Sequence, residues 1–85
     1  MKIEIKVLGT GCSKCNKLFD VVKIAIEETG QDIELVKITD IMEIMKYQVM
    51  ITPALVINGE VKIAGRIPSV SEIKKWIEEV GKYDK

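Results

Sequence analysis

The sequence contains no histidine among its 85 residues. This absence excludes Cys–His nucleophilic pairs, histidine acid–base catalysis and mixed cysteine–histidine zinc sites within one chain. The chain also lacks an excess of either charge, because its 13 basic and 13 acidic residues cancel. A neutral balance without a basic cluster gives no electrostatic basis for binding nucleic acid or an anionic membrane, so we expect neither partner.

Long apolar runs are missing as well. The first six residues alternate apolar and charged side chains, unlike a secretory signal, and no run approaches the length that spans a bilayer. We therefore expect a cytoplasmic protein, and its length predicts a single domain over residues 1–85. In a reducing cytosol, two closely spaced cysteines are typical of a redox-active or metal-binding site rather than of a structural disulfide.

The hydrophobic pattern predicts an α/β domain with the element order β-α-β-α-β-β-α. Period-two patterns and short apolar runs predict strands over residues 2–8, 32–38, 54–57 and 61–64. Period-3.6 patterns predict helices from about residue 12 to Gly30, from residue 41 to about Tyr47, and after Ser69. The first two strands require a parallel, right-handed crossover, whereas Asn58-Gly59 predicts an antiparallel hairpin. Together these elements predict a central mixed four-stranded sheet covered by three helices.

Local signals predict where the helices begin and end. Gly30 should end the first helix in a left-handed conformation. Thr39 or Asp40 should cap the second helix, and Ser69 with Glu72 should form a capping box for the third. We expect Gly81 to terminate that last helix.

Both cysteines lie in the segment Gly9-Thr10-Gly11-Cys12-Ser13-Lys14-Cys15, between the first strand and the first helix. At the helix N-terminus, unpaired N–H groups and the helix dipole favour a thiolate at Cys12, and the nearby charge of Lys14 adds to this. We therefore expect the pKa of Cys12 to lie below the usual value of about 8.5. Cys15 falls on the apolar face, where burial disfavours its thiolate. Cys12 is thus the predicted attacking nucleophile and Cys15 the predicted resolving thiol.

Together with this cysteine segment, two later stretches carry a family resemblance. They are Thr52-Pro53-Ala54-Leu55-Val56-Ile57-Asn58-Gly59, where the proline marks a strand entrance, and Ala64-Gly65-Arg66. With the element order, they resemble the thioredoxin-like superfamily over nearly the whole chain, in particular the small archaeal and bacterial thioredoxins.

The resemblance implies a thioredoxin-like fold and a thiol–disulfide oxidoreductase with a reversible Cys12–Cys15 disulfide. Pro53 would be a cis-proline packed against that disulfide, the backbone of Thr52 would pair with a substrate strand, and Gly65 would leave room for the substrate. The implied partners are disulfide-containing target proteins and an upstream thiol–disulfide reductase. We expect a monomer with no tightly bound cofactor and no metal.

The sequence departs from the larger thioredoxins at Lys6. These proteins bury an aspartate six residues before the first cysteine, where this chain has Lys6. A carboxylate proton shuttle is therefore absent at this position, which leaves water, or Lys6 if it reaches inward. Met50, Ile51 and Ile67 form a candidate apolar rim for docking a partner, or simply the edge of the core.

The competing interpretation is a soft-metal carrier. Heavy-metal-associated domains also place a CxxC pair after their first strand, and two thiolates suit Cu(I), Zn(II) or mercury. That fold runs β-α-β-β-α-β and ends in a strand, whereas this sequence predicts a helix before the third strand and another at the end. Met42, Met45 and Met50 are expected to be flexible gap fillers rather than metal ligands. These features favour the oxidoreductase.

Overall fold

The chain has an α/β fold with the predicted order of elements. The computed structural model describes residues 3–10 and 13–83, with side chains as far as residue 80. The elements are β1 (Ile3–Leu8), α1 (Ser13–Thr29), β2 (Ile33–Ile38), α2 (Ile41–Met45), β3 (Ala54–Ile57), β4 (Glu60–Ala64) and α3 (Val70–Tyr83). The helix between β2 and β3 and the helix at the end distinguish this order from that of the metal carriers.

The four strands form one mixed sheet in the order β2-β1-β3-β4. Strand β1 is parallel to β2 and antiparallel to β3, and β3 is antiparallel to β4, which confirms the predicted sheet. Leu8 is the register partner of both Ile38 and Ala54, and Ala54 is in turn the partner of Ala64. The last residues of β1, β2 and β4 and the first residue of β3 therefore lie at one end of the sheet.

The two faces of the sheet carry separate apolar clusters. On the face covered by α1 and α3, ten buried residues form the larger cluster: Ile3, Ile5, Val7, Leu18, Val22, Ala25, Leu55, Ile57, Ile73 and Ile77. The other face, under α2, is smaller and is built from Leu8, Ile44, Ala54 and Val56. The alternation in β1 explains this division, because successive side chains of a strand point to opposite faces. Trp76 is partly buried and packs against the larger cluster.

Several predicted turns and caps are present. The Asn58-Gly59 turn has φ values of 50° and 83°, as a type I′ hairpin requires. Asp40 caps α2, since its side chain accepts a hydrogen bond of 3.0 Å from the amide of Met42. Ser69 Oγ likewise accepts from the amide of Glu72 at 3.2 Å at the start of α3. Gly30 follows α1 with a φ of 68°.

The prediction that Gly81 terminates α3 is wrong. The helix continues through this residue to Tyr83. A glycine inside a helix costs only about 1 kcal/mol relative to alanine, so it permits an end without imposing one. The buried side chains of Ile73 and Ile77 hold the preceding turns on the sheet.

Across residues 3–10 and 13–83, no helix combines the length and the apolar character that crossing a bilayer requires.

Candidate functional site

The candidate site lies at the end of the sheet where β1 meets α1. Cys15 is in the first turn of α1, and its side chain is fully buried, as predicted from its place on the apolar face. Ser13 and Lys14 are exposed beside it. Cys12 lies outside the described residues, so its acidity and the influence of Lys14 on it stay predictions. The first turn of α1 contains no acidic side chain, and the helix dipole there is not neutralised from within the helix.

Gly9 touches Cys15 directly. A Cβ atom built on Gly9 would overlap the Sγ of Cys15 and would lie 2.9 Å from its Cβ. Real Cβ atoms do not approach other heavy atoms this closely, so only glycine fits here without a shift of one side. The sequence placed Gly9 between the first strand and the first helix but did not reveal this contact. A small residue directly after a buried strand, facing a cysteine on the next helix, was the available signal.

The Thr52-Pro53 segment enters β3 at the same end of the sheet. Its peptide bond is cis, as the resemblance implied. Thr52 is exposed and Pro53 is buried. Because the next residue, Ala54, is the register partner of Leu8, the segment adjoins the strand that leads into Gly9. The segment therefore leads into the strand next to β1, at the end of the sheet where Cys15 lies.

Gly65, the residue after β4, holds this segment in place. Its amide donates a hydrogen bond of 2.8 Å to the carbonyl oxygen of Pro53. Its φ is 88°, and a Cβ atom here would lie 2.9 Å from Cγ2 of Ile51. The space that Gly65 leaves open is thus occupied on one side by Ile51 from the same chain.

Lys6 points to the α2 side of the sheet and binds Tyr47. Its Nζ donates a hydrogen bond of 2.8 Å to the Tyr47 hydroxyl, and Glu4 lies 3.5 Å from the same nitrogen. The hydrogen bond to Tyr47, followed by the charges of Tyr47 and Glu4, raises the pKa of Lys6 above its usual value, although partial desolvation opposes the shift. Lys6 is therefore cationic at neutral pH and already has a partner.

An exposed apolar strip leads into the Thr52-Pro53 segment. Met50 is 96% exposed and Ile51 is 60% exposed. Of the predicted rim, only Ile67 packs against the core. The strip adjoins α2 in sequence, where Ile41, Met42 and Met45 also face outward.

The expectation that the methionines fill gaps is wrong. Met42, Met45 and Met50 are all more than half exposed. The space under α2 is filled instead by Ile44 with the side chains of the sheet, which leaves these methionines in solvent.

No group of three or more cysteine or carboxylate side chains suited to a metal ion occurs in the part of the chain that the structure describes.

Two comparisons with known proteins show what this chain is similar to. Residues 1–78 match the sequence model of a family described as "Thioredoxin domain". A thioredoxin from Methanocaldococcus jannaschii is 45% identical over 73 residues, which cover 86% of this chain and 84% of that protein. A thioredoxin from Methanothermobacter thermautotrophicus is 38% identical over 73 residues, covering 86% of this chain and 95% of that protein.

Proposed function

Because the chain belongs to the thioredoxin family of thiol–disulfide oxidoreductases, we propose that it reduces disulfides in other proteins through a reversible Cys12–Cys15 dithiol/disulfide couple. The observation that carries the proposal is the burial of Cys15 in the first turn of α1, directly against Gly9. Cys12, three positions earlier in the sequence, is the partner that we propose for this disulfide, because a spacing close to one helical turn can bring two thiols together.

The proposed reaction has two exchange steps. The thiolate of Cys12 attacks one sulfur of the target disulfide, which forms a mixed disulfide and releases the first target thiolate. Cys15 then loses its proton and attacks the Cys12 sulfur, which releases the second target thiolate and closes the Cys12–Cys15 disulfide. The released thiolates take up two protons in total, and two electrons pass from the protein to the target. Burial disfavours the ionisation of the Cys15 thiol, so Cys15 acts second.

Lys14 supports the first of these steps in our proposal. Its ammonium group is exposed at the start of α1, beside a helix N-terminus that no acidic side chain of the first turn neutralises. Both the charge and the helix dipole lower the pKa of a neighbouring thiol.

The proposed substrate-binding residues are Thr52, Pro53 and Gly65. Thr52 is an exposed residue, and its backbone would pair with an extended segment of the target, as in other cases of strand addition. Pro53 would pack against the disulfide. Gly65 contributes through its hydrogen bond to Pro53 and through the space it leaves beside Ile51.

We further propose a cytoplasmic monomer that works without a tightly bound cofactor. A reducing compartment suits a cysteine pair that must be returned to the dithiol after each turnover. An upstream thiol–disulfide reductase would supply these electrons; a flavoprotein, a ferredoxin-linked enzyme and a small thiol are the candidate donors.

A redox titration of the purified protein tests the proposal. We expect a reversible two-electron couple with a midpoint between roughly −320 and −180 mV. Cys12→Ser should abolish the reduction of an insulin disulfide, and Cys15→Ser should accumulate a mixed disulfide with the target. Ser13→Ala, between the two cysteines, is the matched control and should retain turnover.

Two results would contradict the proposal. If both cysteine variants keep turnover, the assigned roles are wrong. If the wild-type protein forms no reversible disulfide but binds Cu(I) tightly at one ion per chain, the protein is a metal carrier instead.

A further inference from the structure

We propose that Gly9 is a positioning residue for Cys15, and that the missing side chain at position 9 holds the Cys15 sulfur where it can close on Cys12. The inference rests on the proposed function, since it concerns the second exchange step. It adds a residue outside the CxxC motif to the groups on which this step depends.

The contact between the two residues is the first observation. A methyl group on Gly9 would overlap Cys15 Sγ, and its carbon would lie 2.9 Å from Cβ and 4.0 Å from Cα of Cys15. The Cα of Gly9 thus forms one wall of the space in which the thiol lies. Gly9 itself is buried, so solvent does not separate the two groups.

Neither side of the contact can withdraw easily. The amide of Gly9 donates a hydrogen bond of 2.9 Å to the carbonyl oxygen of Ile38, which extends the pairing of β1 with β2. The preceding residue, Leu8, is fully buried. On the other side, Leu18 and Val22 are fully buried and hold α1 on the sheet. With both backbones held, a methyl group at position 9 must be accommodated mainly by movement of the sulfur.

Displacement of the sulfur should affect the disulfide more than the dithiol. A disulfide requires a sulfur–sulfur distance near 2.05 Å and a narrow range of dihedral angles, whereas two thiols have no such requirement. Gly9→Ala should therefore lower the equilibrium constant for closing the Cys12–Cys15 disulfide. We expect a decrease of about tenfold or more, which corresponds to a midpoint about 30 mV less negative.

The first experiment compares Gly9→Ala with the wild-type protein in a set of dithiothreitol redox buffers. Gly30→Ala is the control, because it also adds one methyl group but has no atom within 4 Å of the new carbon. Its equilibrium constant should match that of the wild type. If Gly9→Ala lies within threefold of the wild type, or forms the disulfide more readily, the positioning role is refuted while the proposed function stands. If the wild-type protein has no reversible couple, both fail.

A second measurement separates positioning from a general loss of stability. In fully reduced protein, Gly9→Ala should lower the melting temperature more in the native sequence than in a Cys15→Ala background, where the sulfur is absent. Equal losses in the two backgrounds would overturn the inference, because the sulfur would then not be what the methyl group meets. If Gly9→Ala folds only together with Cys15→Ala, the inference is supported; if neither protein folds, it is refuted.

Discussion

Replacing Gly65 with alanine tests how the residue after β4 supports the Thr52-Pro53 segment. Two separate costs are expected. The first is conformational, because the φ of 88° is a value that residues with a Cβ rarely adopt. The second is steric, because the new carbon would lie 2.9 Å from Cγ2 of Ile51.

The structure allows these costs to be separated. Gly30 also has a positive φ, of 68°, but a Cβ there meets no atom within 4 Å. Gly30→Ala therefore reports the conformational cost alone, about 1–2 kcal/mol. Ile51 is 60% exposed, so its side chain can rotate away from the new methyl group. Leaving its preferred rotamer should cost a further amount of about 0.5–1.5 kcal/mol. We expect Gly65→Ala to destabilise the protein by about 1.5–3.5 kcal/mol in total.

Urea denaturation of the two variants and the wild type gives the required free energies of unfolding. The loss of chain entropy in the unfolded state is the same for both glycine-to-alanine changes, so it cancels in their comparison. Ile51→Ala should remove the steric part, leaving Gly65→Ala in that background close to Gly30→Ala. The reasoning is refuted if Gly65→Ala costs no more than Gly30→Ala, or if Ile51→Ala recovers none of the difference.

Two further predictions concern the two faces of the sheet. Tyr47→Phe should lower the pKa of Lys6 toward its usual value, seen in an NMR titration of the lysine side chain; an unchanged pKa would show that Tyr47 is not the cause. Because folding raises the pKa of Lys6, its protonated form stabilises the folded protein. This stabilisation is complete below the usual lysine pKa and is lost as the pH rises through the raised value. Tyr47→Phe should therefore destabilise the folded protein at pH 7. Leu18→Ala should lower the free energy of unfolding, measured by urea denaturation, by about 2–5 kcal/mol, because it opens a cavity in the larger cluster. Ile24→Ala, on the exposed side of α1, should lower it by only about 0.5 kcal/mol. Similar losses for the two variants would contradict the assignment of the core.

Much of the fold follows from patterns that extend over a few residues. Alternation marks β1 because every second side chain meets the same face, and Asn58-Gly59 marks the hairpin because both residues accept a positive φ. Gly81 shows the limit of such signals. Glycine disfavours a helix by only a small free energy. The local sequence does not say whether the packing of the rest of the helix outweighs this cost, as it does in α3.

The candidate site was predictable in its residues more than in its contacts. The spacing of the cysteines and the place of Cys15 on an apolar face predicted its burial. The contact of Cys15 with Gly9 depends on how closely α1 packs against the end of β1, a distance that no periodicity contains. The partner of Lys6 is 41 residues away, and pairing over that separation is decided only when α2 and β1 come together.

The hydrogen bonds between Glu4 and Asn58 have a consequence for how the protein folds. The amide of Glu4 donates to Asn58 Oδ1 and the amide of Asn58 donates to the Glu4 carbonyl, across 54 residues of sequence. Pairings of such high contact order form late, after a long loop has been closed. A nascent chain that does not yet include β3 lacks one of the two strands that pair with β1, and it lacks four of the ten buried residues of the larger cluster. The space beside Gly9 that holds the Cys15 sulfur should therefore form in the same cooperative transition as the central sheet. A partly synthesised chain would contain both cysteines before the site has formed.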